Sequence, residues 1–272
     1  MAIQVLIMAI VGHVFSIPFV LATLLVFLMA GAGNVINDVF DCKIDAVNKP
    51  DRPIPSGKIT LKNARIYAGI LYTISILISL VISYLINNFW FFVMIICSAV
   101  IIYAYSRYFK VMPLVGNIIV GGMIGFCIIL GGFILLCTTK DWNIFKVSLY
   151  IGLFSAVLNV ARELVKDMED VRGDQACGAR TFPILYGKKS SSVITIVLLA
   201  VAVGAHIILY TFGIFNIAYL IIFIIAAIMY IYSAYALAAS KLEPAEATCT
   251  KVIKYLKIAM AFSLLAIISG SF

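Results

Sequence analysis

Seven apolar stretches, at about 65–86, 89–106, 114–136, 145–166, 190–211, 217–239 and 252–271, follow one another between short polar breaks. Each matches the roughly 20 residues that an α-helix needs to cross the hydrocarbon of a bilayer. Backbone N–H and C=O groups in lipid must pair within their own segment, so stretches of this length read as helices. Residues 1–36 are too long for one straight span and too short for two full ones. Either a first helix is incomplete, or the break near Gly12 to Pro18 divides a half-span from a complete helix. The expected fold is an all-α polytopic membrane protein, with eight or nine transmembrane helices forming one domain over residues 1–272. A soluble enzyme on a membrane anchor is excluded, because 64% of the residues are apolar and 12% charged, where soluble chains carry about a quarter charged residues.

A charge at membrane depth costs about 3 kcal/mol or more unless something stabilises it, so the few charges carry the functional information. The net charge of +8 does not point to nucleic acid. With loops assigned to alternating sides, segments 43–65, 107–110, 162–189 and 241–257 hold every Lys and Arg except Lys140 and Lys146. Such an excess marks cytoplasmic loops, so this side is expected to face the cytoplasm from the cell membrane. Nine of the twelve acids lie on the same side, in or beside two long loops at about 37–63 and 167–189. They are Asp38, Asp41, Asp45, Asp51, Glu163, Asp167, Glu169, Asp170 and Asp174. The six cysteines form no CxxC pair, and Cys42 and Cys177 fall in the basic loops, so they read as reduced thiols without a chemical role. His13 and His206 read as packed or pore-facing residues. The N-terminus has no basic n-region, which argues against a cleaved signal peptide.

The acids repeat. Asp38-x-x-Asp41-x-x-x-Asp45 recurs as Asp167-x-x-Asp170-x-x-x-Asp174, each aspartate displaced by 129 residues, and Asn34 and Glu163 share that offset. At 100° per residue, positions i−4, i, i+3 and i+7 fall within about a 60° arc. Each of two pseudo-repeated halves therefore presents one acidic stripe where a hydrophobic helix leaves the bilayer. Arg52-Pro53-x-Pro55-x-Gly57-Lys58 is loosely echoed by Arg180-x-x-Pro183 and Gly187-Lys188. Three carboxylates on one face repel, and they would protonate or unfold the helix end without cations. Two stripes facing each other make an oxygen-rich cage that favours Mg²⁺ over zinc, and Mg²⁺ completes its shell with water and phosphate oxygens. Flanking Arg and Lys can hold the remaining phosphate charge. The pattern implies a diphosphate or phosphate ester. Ordinary helix-capping acids account poorly for two copies at one spacing. A transporter's cation pathway is the stronger competitor, but its acids belong at mid-helix rather than in long basic loops at the membrane surface.

These residues resemble the UbiA superfamily of intramembrane prenyltransferases, over nearly the whole chain. Asn37-Asp38-x-x-Asp41-x-x-x-Asp45 looks like the family's first motif, NDxxDxxxD, and Asp167-x-x-Asp170-x-x-x-Asp174 like its second. Tyr103-x-x-x-Arg107, followed by Lys110, is similar to a tyrosine and basic pair on the cytoplasmic edge of a middle helix, where the family often has Lys in place of Arg107. The string from Asn48 to Gly57 looks most like the archaeal branch that makes digeranylgeranylglyceryl phosphate, while quinone-forming members carry looser strings. Members usually have about two spans ahead of the first motif, where this chain has 36 residues. A truncated or mis-started N-terminus would explain the short leader, and polar substrate contacts contributed by a first helix would then be missing.

The resemblance implies Mg²⁺-dependent transfer of a prenyl group from geranylgeranyl diphosphate to a lipid phosphate acceptor, geranylgeranylglyceryl phosphate. Aromatic prenyl transfer in quinone synthesis is the alternative reading, and ion-coupled transport a remote one. On this reading Asp38, Asp41, Asp45, Asp167, Asp170 and Asp174, with Asn34 and Asn37 assisting, hold Mg²⁺ on the diphosphate. Arg52, Lys58, Arg107, Lys110, Arg172 and Arg180 are candidate phosphate clamps, with Arg107 and Lys110 foremost. Tyr103 either orients the diphosphate and faces the allylic cation or is an interfacial aromatic anchor. Apolar helices enclose the prenyl chain away from water, and Gly121, Gly122, Gly125, Gly131 and Gly132 permit close helix packing. Proton removal falls to an aspartate or to the departing diphosphate.

Overall fold

The computed structural model describes residues 2–176, 178–211 and 213–272, so the thiol of Cys177 lies outside the described residues. Every regular element among them is helical: α1 (Ala2–Val11), α2 (Ile17–Asn48), α3 (Leu61–Leu85), α4 (Trp90–Ala104) continued by a π-turn (Tyr105–Phe109), α5 (Val115–Thr139), α6 (Trp142–Ala176), α7 (Phe182–Thr211), α8 (Ile217–Ala239) and α9 (Glu246–Gly270). Eight of these, counting α4 with its π-turn, are long and apolar enough to cross a membrane. The ten residues of α1 rise only about 15 Å. Residues 1–36 thus hold a half-span followed by a complete helix, the second of the two arrangements expected.

Local chemistry sets the boundaries. Gly12 and His13, the latter at φ 51°, end α1, and Pro18 stands in the first turn of α2, where its missing N–H costs nothing. Thr60 caps α3 by accepting the Asn63 N–H at 3.2 Å, and Asn216 caps α8 by accepting the Ala218 N–H at 2.7 Å. Gly187, at φ 83°, breaks α7 one turn after its start.

One boundary differs from expectation with consequences for the site. The acidic segments expected in loops from 37 and 167 are helical, because α2 runs on to Asn48 and α6 to Ala176. The connections after them are short, 49–60 and 177–181. The reason is amphipathic continuation: Val39 on α2, and Val165 and Met168 on α6, stay buried while the acids take the other faces. The aspartates are therefore mounted on rigid helix ends.

The core is apolar, and large side chains such as Phe27, Trp90 and Ile231 also face outward, as suits a bundle solvated by hydrocarbon. Where α5 meets α6, a methyl group on Gly125 would overlap the Gly152 carbonyl oxygen, and one on Gly121 would lie 2.6 Å from the Ala156 carbonyl oxygen. Gly131 takes the backbone of α1 as closely, 2.6 Å from the Val5 carbonyl oxygen, and Gly132 abuts Ser148. Gly122 is the exception among the five expected packing glycines, since nothing lies near its missing side chain. The described cysteines are free, Cys42 standing on α2 rather than in a loop. His13 donates to the Ser271 carbonyl at 2.9 Å, and buried His206 meets the Tyr219 hydroxyl at 2.7 Å. Gly125→Ala is expected to lower the melting temperature in detergent by several degrees, since overpacking costs about 1–3 kcal/mol, while Gly122→Ala leaves it unchanged; thermal scanning with size-exclusion readout measures both.

Candidate active site

The three carboxylates of the first acidic stripe, at the end of α2, are met by two cations from within the chain. After α2, Pro50, Pro53 and Pro55 withhold the N–H groups that a helix needs, and the connection folds back on itself through Ser56 N–H to Arg52 O (2.9 Å) and Ile59 N–H to Pro53 O (2.9 Å). This fold aims Arg52 at the stripe. One guanidinium nitrogen donates to Asp45 at 2.6 Å and to Asp38 at 3.1 Å. The bond to the buried Asp45 carboxylate raises the pKa of Arg52 above its already high ordinary value. Asp41, between the two, pairs with Lys110.

Lys110 reaches Asp41 because of the π-turn. On α4 the residues Ile95, Ser98, Ile102 and Tyr105 line one cavity, at the i, i+3, i+7 and i+10 spacing of one helix face. In an unbroken α-helix, Phe109 would be next on that face. The i→i+5 bond from Lys110 N–H to Tyr105 O, 3.0 Å, accommodates one extra residue and brings Lys110 there instead.

The second stripe, on α6, faces the same space. Asn117 of α5 donates to Asp167 at 2.8 Å. Asp174 is half-buried and Asp170 exposed. Lys110 is within electrostatic reach of both Asp38 and Asp174, and Lys49 of both Asp170 and Asp174. Both halves thus contribute acids to one polar region. A polar pocket of about 30 Å³ lies among Tyr105, Lys110, Asn117, Glu163, Asp167 and Thr181. Below it a larger cavity of about 360 Å³ runs between α2, α4, α5 and α6. Asn34, Asn37, Tyr105, Glu163 and Lys166 form its polar end, and Leu25, Ile95 and Leu130 its apolar depth. From Asn37 to Leu25 along α2 the rise is about 18 Å.

Four expected phosphate contacts, and the expected tyrosine, lie elsewhere. Tyr103 and Arg107 pack against Phe40, the ring pair at 5.7 Å and the guanidinium 5.4 Å above the ring, and neither lines a cavity. Lys58, Arg172 and Arg180 are exposed and point to none of the cavities described. Tyr105, Asn117 and Lys166 are site residues that sequence reasoning did not place, and Glu163, set on the second stripe by its 129-residue offset from Asn34, was given no role there. A signal existed for Lys166 too, the 129-residue counterpart of Asn37.

Among the described residues no three carboxylates converge as a ready-made metal cage, in contrast to the expected facing stripes. Arg52 and Lys110 separate the carboxylates of the first stripe and take their charge. The donor set still fits a hard divalent ion: its ligands are all oxygen, and the buried Asn37 Oδ1 at the cavity's polar end has no hydrogen-bond partner.

A second cavity of about 350 Å³ lies on the far face of α6. Five of its six α6 residues, Phe154, Ser155, Leu158, Asn159 and Arg162, are the 129-residue counterparts of Leu25, Val26, Met29, Ala30 and Gly33 in the first cavity. The repeat therefore extends from the acids to the cavities beneath them.

The family model for UbiA prenyltransferases matches residues 1–260. A digeranylgeranylglyceryl phosphate synthase of Methanobrevibacter smithii is 42% identical over 270 residues, covering 99% of this chain and 93% of its own. A solved structure on the biosynthesis of digeranylgeranylglyceryl phosphate synthase in membranes superposes with a TM-score of 0.81 at 34% identity, covering 99% of this chain and 92% of that one. A UbiA homolog from Archaeoglobus fulgidus bound to GPP and Mg²⁺ shares the fold at 17% identity and a TM-score of 0.63, covering 98% and 95% of the two chains. Lys110→Met is expected to weaken binding of inorganic diphosphate with Mg²⁺ about tenfold, the loss of a charged hydrogen bond, whereas Arg107→Met changes it less than about twofold; calorimetry in detergent reads both.

Proposed function

The chain belongs to the UbiA prenyltransferase family, and from that premise we propose that this multi-pass membrane enzyme transfers a geranylgeranyl group from geranylgeranyl diphosphate to geranylgeranylglyceryl phosphate, with Mg²⁺. The observation that carries this reading is a polar region edged by two acidic stripes and set directly over a long apolar cavity. It matches an amphiphile with a diphosphate head and a chain of several isoprene units. The GPP and Mg²⁺ of the Archaeoglobus fulgidus homolog support the donor class and the metal, and the Methanobrevibacter smithii relative's name supports the acceptor. The excess of Lys and Arg at the same membrane face supports a cytoplasmic site.

Asp38, Asp41, Asp45, Asp167, Asp170 and Asp174, with Asn37, would hold Mg²⁺, which neutralises charge on the diphosphate as the allylic C–O bond breaks. Asn34 sits at the rim where donor head and chain meet. Arg52, which holds Asp38 and Asp45, and Lys110, which holds Asp41, are the cations at this edge of the site and would stabilise charge that grows on the diphosphate in the transition state. Tyr105, rather than Tyr103, presents its ring and hydroxyl at the head of the chamber, where an aromatic face favours a developing cation. Arg107, Lys58, Arg172 and Arg180 line neither of these two cavities and are given no role in this reading. The apolar walls exclude water from the cation.

Purified enzyme supplied with Mg²⁺, geranylgeranyl diphosphate and an acceptor panel is expected to prenylate the lipid phosphate through an ether bond, and Asp41→Ala or Asp170→Ala to abolish turnover. Transfer to 4-hydroxybenzoate or a naphthoate in its place would move the protein to the aromatic branch. Full activity of either aspartate variant would remove the proposed metal site.

A further inference from the structure

Glu163 is the acid at the edge of the apolar chamber. Of the charged residues that line the larger cavity, Glu163 and Lys166, it alone is a carboxylate. It stands one helical turn deeper than Asp167 on α6, and its side chain is only 14% exposed. Arg162 pairs with Glu163 and fixes its carboxylate at this edge, while its own side chain lines the second cavity on the far face of α6. The corresponding position in the first half is the neutral Asn34, so the repeated helix does not itself require an ion pair here.

The other carboxylates near the polar region have other partners. Arg52 holds Asp38 and Asp45, Lys110 holds Asp41, and Asn117 holds Asp167. Asp170 and Asp174 lie one and two turns farther toward the membrane surface along α6.

We propose that Glu163 accepts the proton of the acceptor hydroxyl, an inference that rests on the prenyl-transfer reading above. With diphosphate at the aspartates and the chain in the chamber, the donor's reactive allylic carbon lies at the rim where Asn34, Tyr105 and Glu163 meet. The bond from this carbon to the diphosphate oxygen breaks, and its electron pair leaves with the diphosphate. A lone pair of the acceptor hydroxyl oxygen forms the new carbon–oxygen bond. The hydroxyl proton passes to a Glu163 carboxylate oxygen and is given up to solvent as the products leave. An oxygen that has just bonded to a carbocation is strongly acidic, so its base need not be strong. It must be in place, and the Arg162 pair holds it there.

The test measures diphosphate release and ether formation separately on the purified full-length enzyme with Mg²⁺, geranylgeranyl diphosphate and geranylgeranylglyceryl phosphate. Glu163→Gln is expected to keep the donor KM and to release diphosphate by solvolysis. Ether formation should fall about a hundredfold, the range of a lost general base, and Glu163→Asp should recover part of that rate. An unchanged rate of ether formation in E163Q overturns the proposal, as does an equal loss of diphosphate release and ether, which would put Glu163 on the donor side. If E163Q does not fold, E163D decides by the same split: slowed ether with intact solvolysis supports the role, and parallel slowing overturns it. Wild-type enzyme that releases no diphosphate overturns prenyl transfer itself and this role with it, a result distinct from the others.

Discussion

Holding many carboxylates at the border of a low-dielectric slab is the problem around which this protein is built. Like charges on one helix face repel, and each loses hydration as the helix enters the bundle. The first stripe is stabilised by two cations reaching it from different elements, Arg52 from the connection after α2 and Lys110 from the π-turn after α4. Removing Arg52 would leave the buried Asp45 carboxylate without its ion-pair partner. The acids therefore organise the elements around them: they fix where the proline-rich connection lies, how α4 ends, and which face of α6 looks across to α2.

Because Arg52 and Lys110 come from the chain, some of the acidic charge of the polar region above the apolar cavity is offset from within the fold. The two parts make opposite demands on their surroundings. The head region needs oxygen ligands and mobile cations, and the chamber needs dry walls. Helices serve both, since one face of α2 carries Asn37 at the cavity's polar end and Leu25 in its depth without any change of secondary structure. Close packing of α5 on α6 through Gly121 and Gly125 keeps the α6 stripe rigid against its neighbours.

Much of this was legible in the residues. Apolar length located the spans, because lipid leaves the backbone no other option, and the 129-residue offset identified both acidic stripes and their common side. The acids' helical mounting was implicit in their spacing, yet the polarity of residues 37–48 and 167–176 suggested loops. What escaped was phase. Tyr103, Arg107 and Lys110 would share one face of a regular helix, and a π-turn of five residues, for which no sequence signature was available, separates Lys110 from the other two. Asn117 was legible only as one amide in an apolar run, and its partner, Asp167, is 50 positions away. Contacts of that kind depend on packing, which periodicity does not encode.

The two cavities beneath the repeated stripes occupy the same register on α2 and α6, yet their walls have diverged. Val26, Ala30 and Gly33 in the first correspond to Ser155, Asn159 and Arg162 in the second. Gly33 is held small from outside as well, since a methyl group there would press on Ile102 at 2.8 Å. The repeated framework is thus used unequally: small and apolar side chains line the register position on α2, and a guanidinium occupies the corresponding position on α6. The repeat supplies two acidic edges to one polar region, and its divergence leaves the larger apolar depth beneath them on the α2 side alone.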